Sequence, residues 1–87
     1  MIKGSMYRGV AYKCAMLHYN NEAWDRAIIE FLTIVNQTDP YIYEMIAKCH
    51  LKQGNVFEWK EFLKLTADGY KLIGEPDKEK QVRDKIK

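Results

Sequence analysis

Turn-formers are scarce in this chain: two prolines and five glycines in 87 residues. A fold of many short strands needs more of them than that. Apolar runs are also short. Ala27-Ile28-Ile29 stops at Glu30, Phe31-Leu32 at Thr33, and Ile34-Val35 at Asn36. No run approaches the roughly 20 apolar residues of a membrane-spanning helix, so no membrane partner is expected. Cysteine is limited to Cys14 and Cys49. Lys3 and Arg8 have no apolar core behind them, so no secretory leader is read, and two cysteines then make no disulfide framework. A reducing, cytoplasmic setting is expected. Charge of one sign is lacking too: 14 basic against 12 acidic residues leave +2. A dedicated nucleic-acid module carries a larger, clustered excess, so no nucleic-acid partner is expected.

What is present suits one small soluble domain spanning residues 1–87. Hydrophobic residues make up 47% and charged residues 30%, which argues against disorder. Period and punctuation predict an all-α chain of four or five helices. The first runs from about Met6 to Tyr19, capped by Ser5, with Tyr7, Val10/Ala11, Cys14 and Leu17/His18 at helical spacing. Gly4-Ser5-Met6 has the form of a cloning junction, which sets the expected start of the natural segment near Met6. Asn20-Asn21 breaks the pattern. The second helix is predicted from Glu22 to Asn36, with a wide stripe of Ala23/Trp24, Ala27/Ile28, Phe31/Leu32 and Ile34/Val35. Trp24, Phe31 and Ile46 are the predicted core.

Asp39-Pro40 is the strongest punctuation. Asp39 is expected to accept from the orphan amides of a third helix, and Pro40 supplies the fixed φ of its first position. That helix runs to about Lys52 with a stripe of Tyr43, Ile46/Ala47 and His50/Leu51, and Gly54 stands at the C′ position. Asn55 and Glu58 read as a capping-box variant opening a fourth helix to about Ile73. Gly69 within it costs about 1 kcal/mol against alanine, so either two backbones approach closely there or the helix frays. After Gly74-Glu75-Pro76 a last helix from Pro76 to about Ile86 has only Val82 and Ile86 as apolar anchors. Its charges read as a solvated face. Links of two to four residues make successive helices antiparallel neighbours.

A degenerate period runs through these hairpins. Tyr12 and Tyr43 stand 31 positions apart, and Asp39-Pro40 and Glu75-Pro76 stand 36 apart. Asn20-Asn21 and Gly54-Asn55 mark the tight turns, with Trp24 and Trp59 after them. At these residues the chain resembles the tetratricopeptide repeat. Tyr43, Ile46, Ala47 and His50 stand at that family's helix A positions, and Trp24, Ala27, Phe31, Ile34 and Pro40 at its helix B positions. Met16 and Trp59 depart from the pattern, where small residues are usual. The resemblance implies antiparallel hairpins stacked as a right-handed array: a first pair over 6–37, a second over 40–73 and a capping helix over 76–87. It implies a non-catalytic scaffold or adaptor that holds a peptide or protein in a groove lined by the odd helices.

The groove positions are Lys13 and Leu17 on the first helix, with Val10 nearby, and Tyr41, Glu44, Lys48 and Lys52 on the third. Lysines with apolar surface between them suit a partner with acidic and apolar side chains. The family's clamp for chaperone C-termini is absent, since Leu17 and Met45 stand where it needs asparagines. Met6, Tyr7, Val10, Cys14 and Leu17 form a strip with nothing ahead of them, which points to self-association. The alternative function is therefore a homo-oligomerisation module, or a fragment of a larger repeat protein.

Catalysis and metal binding are not expected. Cys14 and His18 are one turn apart, but adjacent Cys49 and His50 diverge by about 100° on a helix, which spoils a zinc site. Cys14 and Cys49 are read as small core residues and His50 as an aromatic filler. No phosphate-binding glycine loop, dinucleotide fingerprint or H-E-x-x-H occurs. No cofactor is called for.

Overall fold

The computed structural model describes residues 4–87, with side chains from Arg8 onward. Five α-helices account for most of it: α1 Gly4–Asn20, α2 Trp24–Leu32, α3 Pro40–Lys52, α4 Val56–Leu72 and α5 Pro76–Ile86. No strand occurs among the described residues. Each helix packs on the next in the chain, and the whole measures 40 × 30 × 16 Å.

Three of the four connections are the same device. After α1, α3 and α4, one residue takes the left-handed conformation: Glu22 (φ 62°), Gly54 (φ 81°) and Gly74 (φ 79°). The next amide then reaches back to a carbonyl five residues earlier. Ala23 donates to His18 at 2.8 Å, Asn55 to His50 at 2.9 Å and Glu75 to Tyr70 at 2.8 Å. This is the Schellman closure, which satisfies the orphan carbonyls of a helix end. Gly54 thus holds its expected C′ place. Glu22 fills the same role without glycine's freedom.

The fourth connection differs and corrects the sequence reading. α2 ends at Leu32, not near Asn36. The Thr33 hydroxyl donates to the Glu30 carbonyl at 2.6 Å, and the Asn36 side chain accepts from the amide and hydroxyl of Thr38 at 2.9 and 2.8 Å. Such local bonds give the backbone an alternative to the helix. Ile34 is still buried, from an irregular segment. The Arg8 guanidinium pins this segment to α1, donating to the Ile34 carbonyl and meeting the Asp39 carboxylate at 3.4 Å.

That explains a second correction. Asp39 and Asn55 make no side-chain cap bond. Asp39 turns to Arg8, and the Asn55 amide lies near Gln53 and His50. Ser5 lies inside α1 rather than ahead of it.

The core forms two connected clusters. Ala11 and Ala15 of α1, Ala27 and Phe31 of α2, Ile34, and Ile42, Met45, Ile46 and Cys49 of α3 make the first. Ala47, Leu63, Ala67 and Val82 make the second, with Ile86 packed against it, so α5 is held by its two expected anchors. Phe31 and Ile46 are fully buried. Trp24 is only half-buried, because it lies across the mouth of the first turn, edge-on to Tyr19 at 5.2 Å. The stripe of α3 is rotated from the expected one: Tyr43 and His50 are half-buried and Leu51 is exposed, while Ile42 and Met45 go inside. α4 likewise exposes Val56, and Ile73 beyond its end, while burying Thr66, whose hydroxyl donates to the Phe62 carbonyl at 2.8 Å.

Gly69 marks a close approach. A Cβ there would lie 2.9 Å from the Gln37 carbonyl oxygen and 2.9 Å from the Pro40 Cβ. A Cβ at Gly9, in α1, would meet nothing within 4 Å. The two Gly→Ala changes should therefore have opposite signs in thermal melts. Gly9→Ala should stabilise by about 0.5–1 kcal/mol, and Gly69→Ala should destabilise by about 1–3 kcal/mol. Glu22→Gly should raise the melting temperature, by about 0.5–1 kcal/mol of relieved left-handed strain net of glycine's entropy. A fall would mean that the Glu22 side chain contributes more than its backbone costs.

Candidate functional site

α3 lies in the middle of the fold, and its sequence alternates buried and exposed arcs. At about 100° per residue, Tyr41, Lys48 and Lys52 fall within about 40° of one another, with Glu44 about 40° further round. Tyr41, Lys48 and Lys52 are exposed, while Ile42 and Ile46, about 100–140° round the helix from Tyr41, are buried. α1 flanks this arc on one side, where the Tyr12 and Tyr41 rings lie 6.5 Å apart. Burial, with Tyr41 beside it, raises the Tyr12 phenol above its ordinary pKa. α5 flanks the other side, where Lys85 reaches Glu44 at 3.9 Å. The arc thus faces out between the other two odd helices.

Between α3, α4 and α5 lies a polar cleft of about 180 Å³, lined by Glu44, Tyr70, Lys78, Gln81, Val82 and Lys85. Lys78 stands 5.8 Å over the Tyr70 ring. Burial first, and then the Glu44 carboxylate, raise the Tyr70 phenol. At the far end of the arc, Lys52 lies 6.0 Å over the Trp24 ring. A cation on an aromatic face keeps its charge while its stem is held in place.

The expected groove residues are therefore divided. Tyr41, Lys48 and Lys52 share one surface, while Lys13 is exposed on the outer side of α1, about 40° round from Leu17. Glu44 is half-buried and paired with Lys85, so it closes the cleft instead of lining an open groove. Leu17 belongs to a different surface. It sits two turns from Val10, and the two are 61% and 59% exposed on the side of α1 turned away from Ala11 and Ala15. Cys14 is exposed on that same strip, which corrects its reading as a core residue. The side chains of Met6 and Tyr7, expected on the strip, lie outside the described residues.

Lys78, Gln81 and Lys85 were missed as site residues. Their i, i+3, i+7 spacing within the charged tail was a signal that they share one helix side.

Cys49 is fully buried, and burial pushes its thiol up to about 11. His50 stacks on Phe62 at 5.4 Å, as an aromatic filler would. The His18 Nδ1 is enclosed without a hydrogen-bond partner. No group of three or more His, Cys, Asp or Glu side chains that could hold a metal ion occurs among the described residues. Comparison with family models, curated proteins and solved structures finds no match to this chain.

The two thiols should behave differently. Cys14 should react with a disulfide reagent such as Ellman's at the rate of an accessible thiol, and Cys49 only on unfolding. The folded protein also holds the Cys49 proton more tightly than the unfolded chain. Its contribution is present in full below about pH 9 and is lost as pH rises through about 11. Denaturant titrations at a series of pH values should show stability falling over that window, with a shallower fall for Cys49→Ala. An unchanged slope would mean that Cys49 is not sealed.

Proposed function

We propose that the chain is a non-catalytic protein-interaction module of the tetratricopeptide-repeat kind. In this reading α1–α2 and α3–α4 are two stacked hairpins of a right-handed array, α5 is the capping helix, and the face of α1, α3 and α5 holds the partner. One observation carries it: Tyr41, Lys48 and Lys52 are left exposed together on the central helix, with α1 and α5 on either side. An exposed tyrosine is a contact residue enriched at interfaces.

The serial packing of helix on helix and the recurring Schellman turns support the repeat reading. The cysteines support the non-catalytic one. Cys49 is sealed and held protonated, and Cys14 stands on the outer strip while the His18 Nδ1 turns inward. Two unpaired thiols fit a reducing compartment such as the cytoplasm.

A second reading rests on a separate surface. Val10, Cys14 and Leu17 form an outward strip on α1, a place where a second copy of the chain would pack. Light scattering across concentration distinguishes the two. The oligomer reading expects reversible dimerisation that Val10→Glu with Leu17→Lys abolishes.

The module reading expects immobilised wild-type protein to retain a partner from cell extract that Tyr41→Ser with Lys48→Ser releases. Both variants should melt at the wild-type temperature. A partner held equally by wild type and variant would place the binding surface elsewhere.

A further inference from the structure

α1 and α3 are almost free of carboxylates. α1 has none, and α3 has Glu44 alone, whose side chain is 18% exposed and spoken for by Lys85. α5 has three, of which two are engaged. Glu79 binds Arg83 at 2.8 Å, and Asp84 binds Lys80 at 3.5 Å and Lys87 at 3.2 Å. Asp77 lies about 140° round the helix from Val82. What α5 turns toward α3 is Lys78, Gln81 and Lys85. Lys13, Lys48, Lys52 and Lys78 make no ion pair among the described residues. A protein of net charge +2 thus gathers four lysines, Lys48, Lys52, Lys78 and Lys85, on one side, while acidic residues such as Asp25, Glu58, Glu61 and Asp68 lie on α2 and α4.

We infer that this face takes an extended acidic protein segment. Its carboxylates meet Lys48, Lys52, Lys78 and Lys85, and an apolar side chain lies against Tyr41. The inference rests on the interaction-module reading and adds the chemistry of the partner. Carboxylate rather than nucleic-acid phosphate is favoured by a net charge of only +2, where a nucleic-acid module carries a larger excess. Arg8 and Arg83, whose planar forks suit phosphate, are tied to Asp39, Asp68 and Glu79. The face offers lysine alone as its cation.

The test uses the full chain and fluorescence anisotropy with three labelled probes. One is a twelve-residue peptide of Glu and Asp around a central Phe-Leu, the second its Gln/Asn counterpart, and the third a twelve-nucleotide uridine RNA. The acidic peptide should bind saturably, at least tenfold tighter than the amide peptide, and at least fivefold more weakly at 300 mM than at 50 mM salt. Lys48→Glu with Lys85→Glu should weaken it at least tenfold. Lys60→Glu with Lys71→Glu, the same charge change at exposed lysines of α4, should leave it within twofold. Lys52→Gln with Lys78→Gln, a milder pair, should weaken it at least threefold and guards against misfolding of the first.

Equal binding of the amide peptide would overturn the acidic preference and leave the module reading standing. Equal loss in the α4 control would reduce the effect to overall charge, and tighter binding of the RNA would reassign the face to nucleic acid. If no probe binds, the inference fails, while the module reading is decided by partner retention in the Tyr41 and Lys48 variants.

Discussion

The whole arrangement depends on how closely α4 can lie across the start of α3. At Gly69 the helix surface is bare, and into that gap fit the Gln37 carbonyl and the Pro40 ring. Any side chain would lift α4 away from the end of the α2–α3 link. Tyr70, the next residue, would then lose its place over Glu44, and with it one wall of the cleft that α5 closes. Pro40 suits this contact for a second reason. It has no amide hydrogen to satisfy, so the crowded end of α3 buries no orphan donor there. One missing methyl group and one missing hydrogen let two hairpins become a single body.

Much of this architecture was legible because helix punctuation is local. Asp39-Pro40, Gly54 and Glu75-Pro76 announce helix ends through backbone conformation, and the ends fall there. Gly69 was legible as a choice between close approach and fraying, and packing resolves it as close approach. The caps were less legible, since Asp39 and Asn55 had competing partners that only the folded chain brings near. The rotation of α3 also escaped, because apolar residues occupy nearly its whole circumference. Tyr43 and Leu51 are as hydrophobic as Ile42 and Met45, and only the positions of α1 and α4 decide which pair goes inside.

The candidate face was half legible for a similar reason. Lys48 and Lys52 could be placed from their spacing to Tyr41. Lys78 and Lys85 looked like members of a balanced, solvated tail, since Glu79 and Asp84 alternate with them in sequence. In space the tail sorts itself. Arg83 draws Glu79 and Asp68 together on the side toward α4, Lys80 and Lys87 hold Asp84, and the two remaining lysines turn toward α3. Near-neutral composition therefore concealed a polarised surface. Arg8 and Arg83 serve as ties within the fold and the lysines are left at its face, a division that follows from the arginine fork's capacity for two acceptors at once.

The serial order of packing has a kinetic side. Each helix finds its main partner immediately before or after it in the chain, across turns that close over a few residues. Contacts so near in sequence cost little loop-closure entropy, and such topologies fold in microseconds to milliseconds. They also come apart by stages. α5, held by Val82 and Ile86 alone among its apolar residues, can detach and redock without unravelling α1 and α2 at the other end. Two of the four lysines, Lys78 and Lys85, ride on that terminal helix. The width of the lysine-lined surface is thus set by a local equilibrium at the end of the chain, on a timescale faster than global unfolding.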